Sequence, residues 1–233
     1  RGLGDVYKRQ ELFPPKTEKG LQNLPGTIDH LMKYNPSYIS CTYGAGGGNV
    51  GANREVCQMI KNAGTTPVTH FTVIKNTKEG IKEQLDQYLA DGVDHMLALR
   101  GDIPLGETTT CGDFDYATDL VKFVRDTYGD KFEIAVAGSP EGHISCRSLE
   151  SDIAVLKQKQ DNGADYIMTQ LCWDMEQFKY WLDAIRKAGI TMPVDVGVMP
   201  ILDQAATINM ALSRNGCVMD REPVSYTHLT LPT

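Results

Sequence analysis

The sequence predicts an α/β protein built from parallel strands, and more narrowly a (β/α)8 TIM barrel truncated so that its eighth strand-helix unit is missing. Three observations lead there. Short β-branched or apolar runs alternate with longer segments of helical spacing. Glycines follow the helical segments where a left-handed C-terminal residue is wanted, in Ala90-Asp91-Gly92, Asn162-Gly163 and Ala188-Gly189. Polar residues gather just beyond the carboxyl ends of successive strands, at Glu11, Thr42, Arg100-Gly101-Asp102, Gly138-Ser139 and Gln170. A barrel collects those ends around one mouth, whereas a doubly wound sheet, the rival, concentrates its site at one switch point.

In chain order, the first strand ends in Glu11-Leu12-Phe13-Pro14-Pro15, where two prolines force the chain out of regular structure. Further strands are expected over 37–43, 67–74, 94–100, 133–138, 165–170 and 193–198. One intervening helix sets Ile81, Leu85, Tyr88 and Leu89 opposite Lys78, Lys82 and Glu83. Another sets Phe178, Trp181, Leu182 and Ile185 opposite Glu176, Lys179 and Asp183. A last helix over 203–213 completes seven units. The two ends break the pattern: RGLGDVYKRQ and SYTHLTLPT look like adapter-derived reading frames. Residues 1–10 and 224–233 are therefore read as foreign-looking tails around one barrel domain, 11–223, incomplete at its C-terminus.

Composition narrows the function. The 233 residues are 41% hydrophobic and 23% charged, ordinary for a globular chain that can bury a core. With 23 Lys+Arg against 30 Asp+Glu the net charge is −7 and no basic stripe forms, which argues against nucleic acid. No apolar run approaches the roughly 20 residues of a membrane helix. No secretory signal pattern opens the chain, and the six cysteines show neither CxxC nor metal-like spacing, so a cytoplasmic protein with reduced thiols is expected.

Several residues could carry chemistry. Glu11 is either a turn carboxylate or a partly desolvated general acid at the barrel mouth. The run Thr42-Tyr43-Gly44-Ala45-Gly46-Gly47-Gly48 is a flexible loop or a backbone cradle, but neither GxGxxG nor a Walker motif. In Leu99-Arg100-Gly101-Asp102-Ile103-Pro104, Arg100 and Asp102 form a structural ion pair or face a ligand. His70 interrupts an apolar strand as a core histidine would, while His143 follows the fifth strand at the mouth. Neither histidine has an acidic or thiol partner at ligand spacing, so no metal is expected. Ser139 does not sit in GxSxG, which argues against a serine hydrolase. Asp152 and Lys159 share one face of the fifth helix, as solvated surface or as ligand contacts. Gln170 ends the sixth strand as a turn residue or as an amide suited to a heterocycle with alternating donors and acceptors.

Glu11-Leu12-Phe13-Pro14-Pro15-Lys16, Thr42-Tyr43-Gly44-Ala45, Leu99-Arg100-Gly101-Asp102-Ile103-Pro104, Pro140-Glu141-Gly142-His143 and Thr169-Gln170 together resemble the methylenetetrahydrofolate reductase family, in its order and spacing. The likeness covers roughly 10–222 and is to the short bacterial form, a catalytic barrel without a regulatory domain. It implies a flavoprotein of one-carbon metabolism in which FAD carries a hydride from NADH or NADPH to 5,10-methylenetetrahydrofolate, giving 5-methyltetrahydrofolate. By motif match, Thr42, His70, Arg100, Gly101, Asp102, Tyr116, Ala117, His143, Asp152 and Lys159 would contact FAD. Glu11 would be the general acid at N10 of the folate, Gln170 would hold the pterin, and Asp102 would lie between pterin and flavin. A homo-oligomer or an electron-transfer partner subunit is also compatible with the family. Two rivals stand beside this reading: a flavin-free pterin-binding methyltransferase-type barrel, and an inactive truncated fragment with an open sheet edge.

Overall fold

In a computed structural model of the chain, residues 9–15, 17–43, 50–103, 106–143 and 146–198 are described. Seven strands alternate with six helices over these residues. The order is β1 Arg9–Leu12, α1 Glu18–Met32, β2 Tyr38–Cys41, α2 Val50–Asn62, β3 Thr66–Thr72, α3 Lys78–Ala90, β4 His95–Leu99, α4 Ala117–Tyr128, β5 Glu133–Gly138, α5 Leu149–Asp161, β6 Tyr166–Leu171, α6 Met175–Lys187 and β7 Val194–Gly197. The strands follow one another in the sheet in sequence order, β1 to β7. Pairing is parallel from β1 through β5 and again between β6 and β7. This decides between the two expected architectures. A doubly wound sheet reverses its strand order at a switch point, whereas every crossover here advances in one direction, as in a barrel. The expected helix over 203–213 lies outside the described residues.

Strand positions agree with the sequence reading to within about two residues, the scatter expected at element ends. β1 starts inside the stretch read as a tail, because Arg9 and Gln10 pair with Tyr38 and Ile39. The three glycines predicted to end helices have positive φ: Gly92 at 69°, Gly163 at 102° and Gly189 at 79°. Helix α1 escapes the periodicity argument. Only Leu24 and Ile28 are buried, and Pro25 sits inside it, removing one helical donor.

The chain divides into two compact units, Arg1–Val136 with Asn162–Asp165, and Ala137–Asp161 with Tyr166–Thr233. In the first, register sets the two faces of the sheet. Leu12, Cys41, Thr69, Met96 and Ile134 are in register on one face, and Phe71 and Ala98 continue it. That face meets the helices: Phe71 packs against Tyr43 and Tyr88, with ring centroids 5.5 and 6.3 Å apart. Val56, Cys57 and Ile60 of α2, Ile81 and Leu85 of α3, and Leu120, Val121 and Val124 of α4 are all fully buried. Each large side chain so removed from water contributes about 2 kcal/mol. In the second unit, Trp181 and Ile185 of α6 are buried, and a Cβ at Gly138 would lie 2.6 Å from Ile167 and 3.1 Å from Trp181. Strand and helix therefore meet there only because residue 138 has no side chain. Among the described residues no helix is long and apolar enough to cross a membrane.

Candidate active site

The face opposite the helices carries Glu11, Ser40, His70 and Thr72. Glu11 is in register with Ser40 and Ser40 with Val68, so His70 and Thr72, two and four residues further along β3, share the face of Glu11. The histidine expected to lack an acidic partner gains one through this register: His70 Nε2 lies 3.9 Å from Glu11 Oε2. The two differ in exposure, the His70 side chain being 9% and the Glu11 side chain 45% exposed. Glu11 is thus largely solvent-exposed, with one carboxylate oxygen toward a buried imidazole. Thr72 Oγ1 is buried beside them without a hydrogen-bond partner.

Neighbouring backbone fixes the rest of this edge. The Thr42 amide donates to Leu12 O at 2.9 Å, holding the end of β2 beside Glu11. Past β4, Val73 N donates to Leu99 O, and Gly101 turns with φ +87°. A Cβ there would meet Ile74 Cγ1 at 2.5 Å and Thr72 Cβ at 3.1 Å, so glycine is required by both conformation and space. Arg100 and Asp102, expected as an ion pair or as ligand contacts, form no ion pair with each other. Arg100 Nε donates to Gly101 O at 3.3 Å, while Asp102 is exposed. Tyr116 is 61% exposed at the entrance to α4, its amide donating to Asp119 Oδ2 at 3.0 Å, and Ala117 opens that helix. The glycines of the 42–48 run lie outside the described residues.

The second unit holds its own cluster. Lys159 and Asp152 share one face of α5, as their spacing predicts, and the Lys159 amine donates to Ala137 O at 3.1 Å on β5. Burial pushes the Asp152 carboxyl above its ordinary range, against the opposing pull of His143 and Lys159. Burial also lowers Lys159, against the pull of Asp152 and Cys146. Both groups are half-buried rather than solvated surface. Cys146 Sγ lies 3.7 Å from Asp152 Oδ1, and its thiol is raised chiefly by burial. A cleft of about 340 Å³ is lined by Glu141, Gly142, His143, Cys146, Ser148, Leu149 and Gln177. On β6, Gln170 Oε1 accepts from the Leu171 amide at 2.9 Å, which orients the side chain.

Two residues were missed in the sequence. Glu141 accepts from Trp173 N at 3.3 Å and is raised by burial, yet only His143 was singled out from that motif. Asn53 is fully buried on α2, and its signal was there: with Val56, Cys57 and Ile60 it lies on the helix's apolar stripe at i, i+3, i+4 and i+7. Among the described residues no group of His, Cys, Asp and Glu could hold a metal, and the described cysteines are free, three of the five buried.

Residues 4–215 match the family model described as methylenetetrahydrofolate reductase. The chain is 37% identical over 214 residues to methylenetetrahydrofolate reductase (NADH) 1 of Arabidopsis thaliana, covering 86% of this chain and 36% of that protein. It is 34% identical over 199 residues to 5,10-methylenetetrahydrofolate reductase of Salmonella typhimurium, covering 85% of this chain and 66% of the relative. The chain thus spans about a third of the plant relative and just under two thirds of the bacterial one. Among solved structures, an uncharacterized protein from Clostridium thermocellum that binds two copies of 5-methyl-5,6,7,8-tetrahydrofolic acid superposes with a TM-score of 0.66. It covers 95% of this chain and 75% of its own at 14% identity, a likeness of fold.

Proposed function

Because the chain belongs to the methylenetetrahydrofolate reductase family, we propose that it catalyses the reduction of 5,10-methylenetetrahydrofolate to 5-methyltetrahydrofolate with NADH or NADPH as the reductant and FAD as the cofactor. The observation that carries the proposal is the placement of the motif residues at the carboxyl ends of strands, with Glu11 beside buried His70 and with Arg100 and Asp102 unpaired to each other. Residues 11–223 are taken as one catalytic domain, acting in the cytoplasm in one-carbon metabolism, whether for methionine synthesis or for acetate formation.

The residues present suit an anionic dinucleotide. Lys159 and Arg100 are cations whose described hydrogen bonds go only to backbone carbonyls, and Thr72 keeps a buried hydroxyl in reserve. By the family likeness, Thr42, His70, Arg100, Gly101, Asp102, Tyr116, Ala117, His143, Asp152 and Lys159 would be the contacts of FAD. When bound, FAD supplies hydride acceptance from the nicotinamide and hydride donation to the folate. Glu11 holds the proton delivered to N10, and its protonation opens the five-membered ring of the substrate. Gln170, its oxygen fixed by the Leu171 amide, presents its NH2 to the pterin. Asp102 sets a fixed negative charge that opposes further negative charge building up beside it.

The test is to incubate the 233-residue chain with FAD, remove free cofactor, and record the visible spectrum beside circular dichroism. A folded chain retaining stoichiometric flavin is expected; a folded chain without it would favour the flavin-free pterin-binding barrel. In the loaded chain, Glu11→Gln should leave flavin reduction by NADH intact and slow the folate step by about a hundredfold or more. Loss of both half-reactions would assign Glu11 a structural role instead.

A further inference from the structure

Asn53 is fully buried, and every polar atom of its side chain is engaged. Its Nδ2 donates to two successive backbone carbonyls, Cys41 O at 3.0 Å and Thr42 O at 3.1 Å, where β2 ends. Its Oδ1 accepts from Tyr88 OH of α3 at 2.7 Å and Thr69 Oγ1 of β3 at 2.8 Å, with Cys57 Sγ at 3.5 Å. This orientation of the amide is forced, because two carbonyl oxygens need donors on one side and two hydroxyls need an acceptor on the other. Burial raises Tyr88, so its hydroxyl stays a donor at all ordinary pH values.

Simple packing does not call for this arrangement. An apolar residue at 53 would continue the stripe of Val56, Cys57 and Ile60, and the carbonyls of Cys41 and Thr42 would then lack the donor. The parallel ladder between β2 and β3 ends at Cys41, paired with Thr69, so Thr42 lies one residue past regular pairing. Its amide is held by Leu12 O, and its carbonyl is held by Asn53. A second chain of bonds continues outward: Tyr43 OH donates to Gln84 Oε1 at 2.5 Å, Gln84 Nε2 to Asn76 Oδ1 at 3.1 Å, and Asn76 Nδ2 to Thr72 O at 3.0 Å.

We infer that Asn53 is a positioning residue for the cofactor site: its amide clamps the Cys41 and Thr42 carbonyls and so fixes the strand end from which Thr42 meets FAD. The inference rests on the functional reading above for the identity of the ligand, and on the hydrogen bonds alone for the clamp.

Asn53→Asp is nearly isosteric and keeps the acceptors for Thr69 and Tyr88, but it offers the two carbonyls at most one proton. Thr69→Val is the control, since it removes a bond to the same amide and leaves both carbonyl clamps in place. The full chain is read in two ways: FAD affinity from quenching of flavin fluorescence, and amide hydrogen exchange of Thr42 against Leu97 and Ala98 in β4. Asn53→Asp should weaken FAD by about tenfold or more and speed Thr42 exchange by a similar factor relative to β4, with Thr69→Val within about twofold of wild type in both. Equal losses in both variants, or Asn53→Asp indistinguishable from wild type, would overturn the clamp. Should Asn53→Asp fail to fold by circular dichroism, Asn53→Ser removes the same donors with a smaller side chain, and the same ordering is expected. A wild-type chain that folds without taking up FAD would defeat the functional reading, while the exchange comparison would still decide whether Asn53 holds Thr42.

Discussion

Two polar clusters in this chain treat burial in opposite ways. Around Asn53, fully buried, the groups are neutral and each hydrogen bond closes on another part of the first unit. Around Asp152 and Lys159 in the second unit the groups are ionisable, half-buried, and pushed by burial toward their uncharged forms. A satisfied neutral network adds rigidity at little net cost, whereas desolvated charges without full compensation oppose folding. Under the proposed function, these charges are the ones that would meet the cofactor.

The comparison can be broken most forcefully at Asn53. Asn53→Leu takes the donor from two carbonyls and the acceptor from the Tyr88 hydroxyl, while Thr69 keeps His70 O at 3.2 Å, and should cost about 3 kcal/mol or more in urea unfolding. Next comes Gly101→Ala, in the turn that brings Arg100 and Asp102 past β4. With φ +87° and a contact of 2.5 Å to Ile74, it should cost about 2–3 kcal/mol by the same measurement. The double variant Asp152→Asn with Lys159→Met should act in the opposite direction. Removing both desolvated charges should raise stability by about 1 kcal/mol, seen as a melting temperature about 2–4 °C higher, while abolishing FAD retention. A double variant that loses stability would mean the charges compensate each other and that the contrast between the clusters is false.

The smallest effect sharpens the comparison through pH. Burial raises Glu141 above its ordinary 4.5, so the folded state holds its proton more tightly than the unfolded chain does. Stability from this group is complete below about pH 4 and is lost as pH rises through the raised folded value. Glu141→Gln cannot ionise. Its advantage over wild type should be absent near pH 4 and grow to a fraction of about 1 kcal/mol by pH 7, read from urea midpoints across that range. An advantage that shrinks as pH rises would show that the Trp173 amide, which donates to Glu141 at 3.3 Å, outweighs the burial.

Much of the fold was legible because its signals are local. Gly92, Gly163 and Gly189 mark helix ends through a conformation that side chains resist, and α3 and α6 announce themselves by one apolar stripe each. Helix α1 was not legible, since only Leu24 and Ile28 of its length are buried and Pro25 interrupts it. The candidate site was legible as a set of strand ends but not as a set of contacts. Arg100 and Asp102 sit two residues apart, yet the positive φ of Gly101 between them sends Arg100 to a backbone carbonyl rather than to Asp102. His70 and Glu11 are far apart in the chain, and only the pairing of β1 with β2 and of β2 with β3 sets them on one face.

The sequence by itself determined the strands and their order, helices such as α3 and α6, the parallel alternation, and the residues at the strand ends, because helical and strand periodicity and glycine stereochemistry act over a few residues. Tertiary structure alone decided the sequential strand order, the partner of His70, the filling of Asn53's hydrogen bonds and the burial of Asp152, Lys159 and Glu141. Those depend on strand register and on the exclusion of water, which no stretch of chain sets on its own.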